Sequence, residues 1–323
     1  MNDLELFDSL PATRQAMLDS IGRVVVGQND VVEMMLTALF SNGHCLFVGV
    51  PGLAKTLLVQ TVATTLGCSF GRIQFTPDLM PSDITGTDVL EQDNQTGRRE
   101  MRFMKGPVFC NLLLADEINR TPPKTQAALL QAMQEREVTA LGKTHPLHPP
   151  FLVLATQNPI EQEGTYPLPE AQQDRFMFSI MVGYPSPDEE REIVRRTTVG
   201  QMPEAEPVLS VEKLLAIQQL MRRLPANGDV IDYCVDLVNA TRPQSGSAAS
   251  KWIHWGAGPR ASQYLAIGAR TYAALRGRDV PNRDDVQAVA LSVLRHRIVL
   301  NFEAETAGMT TDSVIRSIIE DNT

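Results

Sequence analysis

One glycine-rich segment constrains the fold of this chain more than any other feature. Residues 49–56 read Gly-Val-Pro-Gly-Leu-Ala-Lys-Thr and directly follow a short apolar run at residues 45–48. Apolar residues then recur at helical spacing over residues 55–66, so the local order is strand, glycine loop, helix. A loop of this kind fits a parallel sheet that is covered by helices on both faces.

The spacing of the glycine segment is that of a phosphate-binding (Walker A) loop. Its backbone N–H groups and the following helix N-terminus would face the β-phosphate of a nucleotide, Lys55 would neutralise charge, and the Thr56 hydroxyl would ligate Mg2+. Ala54 stands where the motif has its second glycine. We expect Ala54 to have ordinary helical dihedrals and Gly52 to take the conformation that requires glycine. A glycine turn before an ordinary helix is the alternative.

Acidic and amide side chains follow two later apolar runs. The run at residues 112–115 ends in Asp116 and Glu117. Asp116 would lie beside the metal, and Glu117 would polarise the water that attacks the γ-phosphate. Asn158 follows the apolar run at 151–155 and could hold that water or a γ-phosphate oxygen, although an Asx turn before Pro159 explains an asparagine there equally well.

The pattern of elements predicts two domains. Further apolar runs at 108–115, 151–155 and 176–182 suit strands of one parallel sheet, and Thr121 is a candidate cap for a helix that reaches Arg136. The pattern changes around residues 184–187, and from Asp188 onward we find helical periodicity and no convincing strand. We therefore predict an α/β domain over residues 1–185 and a helical lid domain over residues 186–323. The lid helices are predicted at 187–198, 211–224, 229–241, 260–275, 283–299 and 312–319, with Ser186, Ser210 and Thr311 as caps.

Composition excludes several functional classes. The chain has 323 residues, a formal net charge of -9 and a pI near 5.1, so non-specific attraction to nucleic-acid phosphates is not expected. Its N-terminus does not read as a secretory signal, and no apolar stretch is long enough to span a bilayer. We therefore expect a cytoplasmic protein. The four cysteines and five histidines are scattered, which argues against a zinc site.

Several motifs in order resemble the AAA+ ATPases of the MoxR family, over residues 25–296. They are the phosphate loop, the strand ending in Asp116-Glu117, the strand followed by Asn158, residues 168–176 (Leu-Pro-Glu-Ala-Gln-Gln-Asp-Arg-Phe) and residues 256–261 (Gly-Ala-Gly-Pro-Arg-Ala). The loop variant G-x-P-G-x-A-K-T, with alanine at position 54, is itself found in this family. The resemblance implies a P-loop NTPase of AAA+ type, with a three-layer αβα core and a smaller all-α lid.

The resemblance also implies roles for individual residues. Asn158 matches sensor 1, and Arg175 matches the arginine finger that reaches the γ-phosphate of a neighbouring subunit. Arg260 matches sensor 2 and would report the γ-phosphate to the lid. Taken alone, a surface salt bridge would explain Arg175, and an ordinary helix start would explain Arg260. The expected nucleotide-binding residues are Val26, Gly27, Gln28, Gly49, Pro51, Gly52, Leu53, Ala54, Lys55, Thr56 and Leu57, with Thr56 and Asp116 at the metal.

Two segments read as hairpins, at residues 88–104 and 138–147. They resemble the helix 2 insert and the pre-sensor 1 hairpin, which face the axis of the ring in related proteins, although plain surface hairpins would look the same. The resemblance therefore implies an ATP- and Mg2+-dependent, chaperone-like ATPase that forms a homo-oligomer, expected to be hexameric. It also implies a client protein and a partner with a von Willebrand factor A domain.

Two other functional classes stay open on the sequence. One is a nucleic-acid-remodelling or metal-chelatase-type motor subunit, because related rings use the same insert hairpins. The acidic balance weighs against binding to DNA. The other is a nucleotide-gated scaffold with little turnover, which the presence of both Glu117 and Arg175 disfavours.

Overall fold

A computed structural model of the chain describes residues 2–92, 99–140, 142–161, 164–200 and 203–322. The strands are β1 (Cys45–Val48), β2 (Phe70–Gln74), β3 (Gly86–Gln92), β4 (Arg99–Lys105), β5 (Leu112–Asp116), β6 (Glu137–Ala140), β7 (Lys143–Pro146), β8 (Leu152–Gln157), β9 (Phe178–Met181), β10 (Ile253–Trp255) and β11 (Val299–Leu300). The helices up to residue 173 are α1 (Asp3–Asp8), α2 (Leu10–Val24), α3 (Asn29–Phe40), α4 (Lys55–Thr65), α5 (Pro81–Thr85), α6 (Pro123–Glu135) and α7 (Glu170–Gln173). The later helices are α8 (Pro187–Thr198), α9 (Val211–Arg223), α10 (Gly228–Ala240), α11 (Pro259–Ala274), α12 (Arg283–Leu294), α13 (Phe302–Thr306) and α14 (Thr311–Asp321).

The centre of the molecule is a five-stranded parallel sheet in the order β2-β5-β8-β1-β9. Four of these strands coincide with the apolar runs of the sequence, and the predicted α/β fold with a parallel sheet is confirmed. The edge strand β2 was missed. It contains Gly71 and Arg72 and buries only Ile73, so its residues lack the continuous apolar character that marks the interior strands.

Alternate residues of the strands pack on opposite faces of the sheet, as the strand period of two requires. On one face, Phe47, Leu114 and Leu154 belong to a core that includes α2, α3 and α4. On the other face, Leu46 and Leu113 pack with α6. The first core continues into the C-terminal helices, where it includes Leu214, Leu265 and Val293.

The C-terminal region is mostly helical, as predicted for the lid, but it also has strands. β10 and β11 form a two-stranded antiparallel ribbon, so the expectation of no strand after residue 188 was wrong. The predicted helix over 283–299 ends at Leu294, and Val299 lies in the ribbon. A ribbon this short gives no extended alternation for a sequence pattern to detect. The boundary between residues 185 and 186 stays a prediction.

Helix caps explain where several helices begin. Ser186 and Ser210 accept hydrogen bonds from the backbone N–H groups of Glu189 and Lys213, as expected of N-caps. Two predicted caps were wrong: Thr310, not Thr311, caps α14, and Pro122, not Thr121, is the residue before α6. Within the described part of the chain, no helix is long and apolar enough to cross a membrane.

Two antiparallel hairpins project from the sheet. The pairing of β3 with β4 begins at Gly86, which lies opposite Lys105. In the second hairpin, β6 pairs with β7. Residues 93–98 of the first predicted hairpin and Leu141 of the second lie outside the described residues. The hairpins contact each other through the rings of Phe103 and His145, which stack with their centroids 3.9 Å apart.

Candidate active site

Two neighbouring cavities share the glycine loop as a common wall. One cavity, of about 480 Å3, contains the polar side chains of Lys55, Thr56, Asp116, Glu117 and Asn158, and we call it the polar cavity. The other, of about 380 Å3, is largely apolar and lies towards α2 and α8. Pro51, Gly52, Leu53, Ala54 and Leu57 line both. The pair of cavities therefore has a polar end and an apolar end on either side of one loop.

The backbone of the loop takes two left-handed conformations. Gly52 has a φ of 84°, as expected for the residue that requires glycine, and Ala54 has a φ of 55°. The expectation that Ala54 would have right-handed helical dihedrals was therefore wrong. A left-handed alanine costs about 1–2 kcal/mol. Such strain persists where the surrounding structure fixes the backbone, and it concentrates at functional sites.

The Lys55 ammonium lies against the loop. It donates to the carbonyl oxygens of Gly49 (2.5 Å) and Val50 (3.0 Å). Partial burial lowers the pKa of Lys55, and the nearby carboxylates of Asp116 and Glu117 oppose that shift. α4 begins at Lys55 with no side-chain cap on its N-terminus, so no side chain competes for its first N–H groups. Uncapped N–H groups beside an ammonium suit an anion such as a phosphate.

Asp116 is buried at the end of β5 and has a partner on each oxygen. Thr156 donates to Oδ1 at 2.7 Å, and the Arg72 guanidinium pairs with Oδ2 at 2.7 Å. Thr56 lines the same cavity. A hydroxyl and a carboxylate at one cavity wall are the oxygen ligands that Mg2+ takes, and the ion usually keeps several waters. The residues therefore fit a magnesium ion held through water, with Arg72 as a competitor for Asp116.

Glu117 is held from three sides in a strained backbone conformation. Its φ is 57°, its N–H donates to the Thr156 hydroxyl, and its Oε2 accepts from Gln74 at 2.8 Å. Arg120 lies 3.1 Å from the same oxygen. Both side-chain contacts are to Oε2, and among the described residues none is made to Oε1, so Oε1 can accept a hydrogen bond from a water molecule.

The sequence reasoning missed Arg72, Gln74, Arg120 and Thr156. The first two lie on the edge strand β2, which pairs with β5 so that Gln74 is opposite Asp116. Missing that strand therefore hid both partners of the acidic pair. Thr156 immediately precedes Gln157 and Asn158 at the end of β8. A hydroxyl at that position is the sequence feature from which a contact with the acidic pair could have been predicted.

Asn158 is 5% exposed and lines the polar cavity. Its Oδ1 accepts a hydrogen bond from the N–H of Ile160 at 3.1 Å, which is an Asx turn. The turn engages the carbonyl oxygen of the amide. The turn and a role at the phosphate are therefore compatible, because the amide NH2 can donate elsewhere.

The apolar cavity contains the segment predicted to contact adenine. Val26 and Gln28 line it, and the Gln28 Oε1 is buried with no hydrogen-bond partner among the described residues. An unpaired buried acceptor suits a donor group on a ligand. Gly27, with a φ of 70°, has the Glu189 side chain against it, where a Cβ would lie 2.1 Å from Oε1. The sequence reasoning missed Tyr184, Ile193 and Arg196, which form the opposite wall.

Arg175 and Arg260 do not line either of these cavities. Both line a separate cavity of about 290 Å3 with Asn42, Arg136 and Arg222. The structure thus brings Arg260 to Arg175 and not to Lys55 of the same chain. The Arg260 guanidinium pairs with Asp174 at 3.0 Å, and the buried Arg297 donates to the other oxygen of Asp174 at 2.7 Å.

Comparisons with known proteins agree on one family. The family model for the ATPase family associated with various cellular activities (AAA) matches residues 44–178, and the AAA lid domain model matches residues 246–318. The chain is 49% identical to the chaperone MoxR1 of Mycobacterium tuberculosis, over 95% of this chain and 81% of that protein. It is 32% identical to protein MoxR of Methylorubrum extorquens, over 93% and 92%. A crystal structure of a candidate ATPase from Cytophaga hutchinsonii superposes with a TM-score of 0.90, at 42% identity, over 98% and 96%.

Proposed function

Because this chain belongs to the MoxR family of AAA+ ATPases and hydrolyses ATP, we propose that it is a chaperone-like ATPase whose active site is completed by a neighbouring copy. One observation carries this proposal. The polar cavity holds the lysine, the two acids and the asparagine, whereas both predicted arginines line another cavity of the same chain. The arginine that lines the polar cavity, Arg72, is paired with Asp116, so a further guanidinium for the γ-phosphate would come from a second copy.

Each residue of the polar cavity has a chemical task in this proposal. The loop N–H groups and Lys55 bind the phosphates, and the apolar cavity takes the adenine. Glu117 polarises the attacking water through Oε1, while Gln74 and Arg120 hold Oε2. Asn158 donates to that water or to the γ-phosphate. Thr56 and Asp116 would hold Mg2+, which supplies positive charge to the phosphate oxygens.

Arg175 and Arg260 act in trans. A guanidinium from a neighbour stabilises the charge that develops on the transferred phosphoryl group, and such groups are worth about 10³–10⁵ in rate. Hydrolysis then depends on assembly, and we propose a closed ring, hexameric as in related AAA+ proteins. The chaperone name of the Mycobacterium relative supports a protein as the object of the work.

The client and its presentation are the finer part of the proposal. We propose that the hairpins β3–β4 and β6–β7 contact the client, since Leu90, Met101 and Met104 expose large apolar side chains there. A protein with a von Willebrand factor A domain would be the partner. Stimulation of the ATPase by such a protein supports this assignment, whereas stimulation by DNA instead would favour a nucleic-acid motor.

The test compares ATP turnover with protein concentration for wild type, Glu117→Gln and Arg175→Ala. Wild type should show specific activity that rises as subunits assemble. Both variants should bind ATP, because neither substitution removes a phosphate-loop group. Each should lose turnover by about a hundredfold or more, the usual effect of removing a catalytic base or a charge-stabilising donor.

Mixing the two inactive variants provides the discriminating measurement. At a junction where the nucleotide is bound by an Arg175→Ala subunit and the neighbour is a Glu117→Gln subunit, Glu117 comes from the first subunit and Arg175 from the second. That junction has every required group. In an equal random mixture, about a quarter of the junctions of a closed ring have that composition. Activity near that fraction of wild type supports a shared site. Concentration-independent activity that Arg175→Ala does not change would refute it.

A further inference from the structure

Four arginines from four separate segments meet at one cavity. Arg136 follows α6, Arg175 follows α7, Arg222 lies in the last turn of α9, and Arg260 lies in the first turn of α11. Arg136 and Arg222 are exposed, and the other two are partly buried. Residues of the predicted α/β domain and of the predicted lid therefore contribute two guanidinium groups each.

Three of the four guanidinium groups have no internal partner. Among the residues that the structure describes, the side chains of Arg136, Arg175 and Arg222 make no hydrogen bond and no ion pair. Arg260 alone is paired, with Asp174. Elsewhere most arginines are engaged: Arg14, Arg276, Arg278, Arg295 and Arg297 each pair with a carboxylate. Clustered unpaired cations repel one another, so an arrangement of this kind is more favourable with an anion present.

Apart from the pairing of Arg260 with Asp174, no described residue of the cavity wall offsets this charge. Its described lining residues include no carboxylate. His44, also in the wall, is buried, and burial lowers its pKa to about 4, so it is neutral at pH 7. Its ring nitrogens are taken by the backbone of Val153 and Met133. Burial lowers the pKa of Arg136, and so does the nearby positive charge of Arg222. The second effect is electrostatic repulsion between the two guanidinium groups.

We propose that Arg136 and Arg222 extend the trans-acting site, so that this cavity as a whole receives the polyphosphate of the nucleotide bound to a neighbouring copy. This inference rests on the proposed function, which places Arg175 and Arg260 at that phosphate. The chemistry supports the extension: a triphosphate carries several charges, and guanidinium groups bind phosphate oxygens through paired N–H donors. Arg136 and Arg222 would act on nucleotide bound by the neighbour, not on nucleotide bound by their own chain.

The backbone at Arg136 offers a clean substitution. Its φ is 56°, and asparagine tolerates that conformation better than most residues do. Arg136→Asn therefore removes the charge with little added strain, and Arg136→Lys keeps the charge. Arg222→Gln removes the second charge. The matched control is Arg223→Gln, because Arg223 is the next residue, is exposed and pairs with Asp3 outside the cavity.

At protein concentrations where wild type is assembled, we expect Arg136→Asn and Arg222→Gln each to lower turnover by about tenfold, less than direct loss of the arginine finger. For dissociated subunits, at low protein concentration, the affinity of the chain's own site for a fluorescent ATP analogue should stay unchanged, because neither residue lines the nucleotide cavities. Arg136→Lys should recover part of the turnover, and Arg223→Gln should behave as wild type.

Mixing with Glu117→Gln separates this inference from the proposed function. An Arg136→Asn subunit keeps Glu117 in its own nucleotide site. A Glu117→Gln neighbour keeps all four arginines and would place them at that site. The mixture should therefore exceed the mean of the two parents several-fold. If Arg175→Ala shows this rescue but Arg136→Asn and Arg222→Gln give only the parental mean, the further inference is wrong while the proposed function stands. If Arg175→Ala shows no rescue either, the shared site itself fails.

A free polyanion is the other possible source of phosphate. Tripolyphosphate titrated into Lys55→Ala, whose own phosphate loop is disabled, tests it by calorimetry. We expect no saturable binding of micromolar strength, because the cavity is proposed to close only against a neighbour. The contrary result is stoichiometric binding of tripolyphosphate to Lys55→Ala that disappears when Arg136→Asn and Arg222→Gln are introduced into the same chain. It would overturn the proposal, since the occupant would then be a free anion.

Discussion

At the scale of single residues, backbone strain marks the nucleotide site. Gln28, Ala54 and Glu117 are three of the five non-glycine residues with positive φ in the described chain, and all three line the paired cavities. Each such conformation costs of order 1–3 kcal/mol unless the surroundings compensate. The site therefore stores strain in the apolar cavity at Gln28, in the phosphate loop at Ala54, and at Glu117.

Ala54 provides a direct test of this strain. Ala54→Gly should leave stability unchanged or raise it by up to about 1 kcal/mol, because glycine adopts a φ of 55° without the Cβ clash but loses more entropy on folding. The same substitution at Ala63, in the interior of α4, should lower stability by about 1 kcal/mol or more. Chemical denaturation of both variants measures the difference. Equal destabilisation by the two would mean that Ala54 is not strained.

At the scale of secondary structure elements, a buried arginine connects α12 to Arg175, the residue that we propose as the arginine finger. Arg297 follows α12, is 6% exposed and donates to the carboxylate of Asp174. It also donates to the carbonyl oxygens of Asp174, Phe176 and Met177. These groups flank Arg175 on both sides. Movement of α12 would thus be transmitted to the backbone that carries the finger.

Substitution of this arginine should affect folding and turnover together. Arg297→Met removes one of the two guanidinium partners of Asp174 and a donor to three carbonyl oxygens. Loss of one partner of a buried pair costs about 3–5 kcal/mol. Because Asp174 is about one-third exposed, we expect the lower end of that range. Urea denaturation checks it, with Arg191→Met as control, since Arg191 pairs with Asp188 at the surface. Stability close to that of the control would show that Arg297 is dispensable.

At the scale of the whole molecule, the nucleotide is expected to bridge the sheet and α8. The apolar cavity is lined by the phosphate loop on one side and by Glu190, Ile193 and Thr197 of α8 on the other. None of the residues of α8 is buried, so its attachment to the core is weak without a ligand. Bound nucleotide would add contacts where the protein itself supplies few.

Amide hydrogen exchange should report this bridging. A non-hydrolysable ATP analogue with magnesium is expected to slow exchange in α8 by about tenfold or more, and to leave α14 unchanged, because α14 lines neither nucleotide cavity. Lys55→Ala should abolish the effect. Protection confined to residues 49–56, with α8 unchanged, would show that the nucleotide does not bridge to this helix.

The sequence by itself determined the elements whose predictive pattern lies within one contiguous stretch of residues. The phosphate loop, the strand ending in Asp116 and Glu117, the strand before Asn158 and the C-terminal helices each have a local signal in apolar period or residue spacing. These signals were enough for the fold class and the family. They were also enough to name Lys55, Thr56, Asp116, Glu117 and Asn158 of the polar cavity, because the carboxyl ends of parallel strands meet at one edge of the sheet.

Only the tertiary structure decided how distant segments meet. The edge strand β2 carries too few apolar residues to be recognised, so its partners for the acids, Arg72 and Gln74, emerged only from strand pairing. The left-handed Ala54 is imposed by the loop around it. The four-arginine cavity joins residues from positions 136 to 260, whose convergence no local pattern encodes. Local sequence specifies propensity and period, whereas the side chains that face one another across a cavity are set by packing of the whole chain.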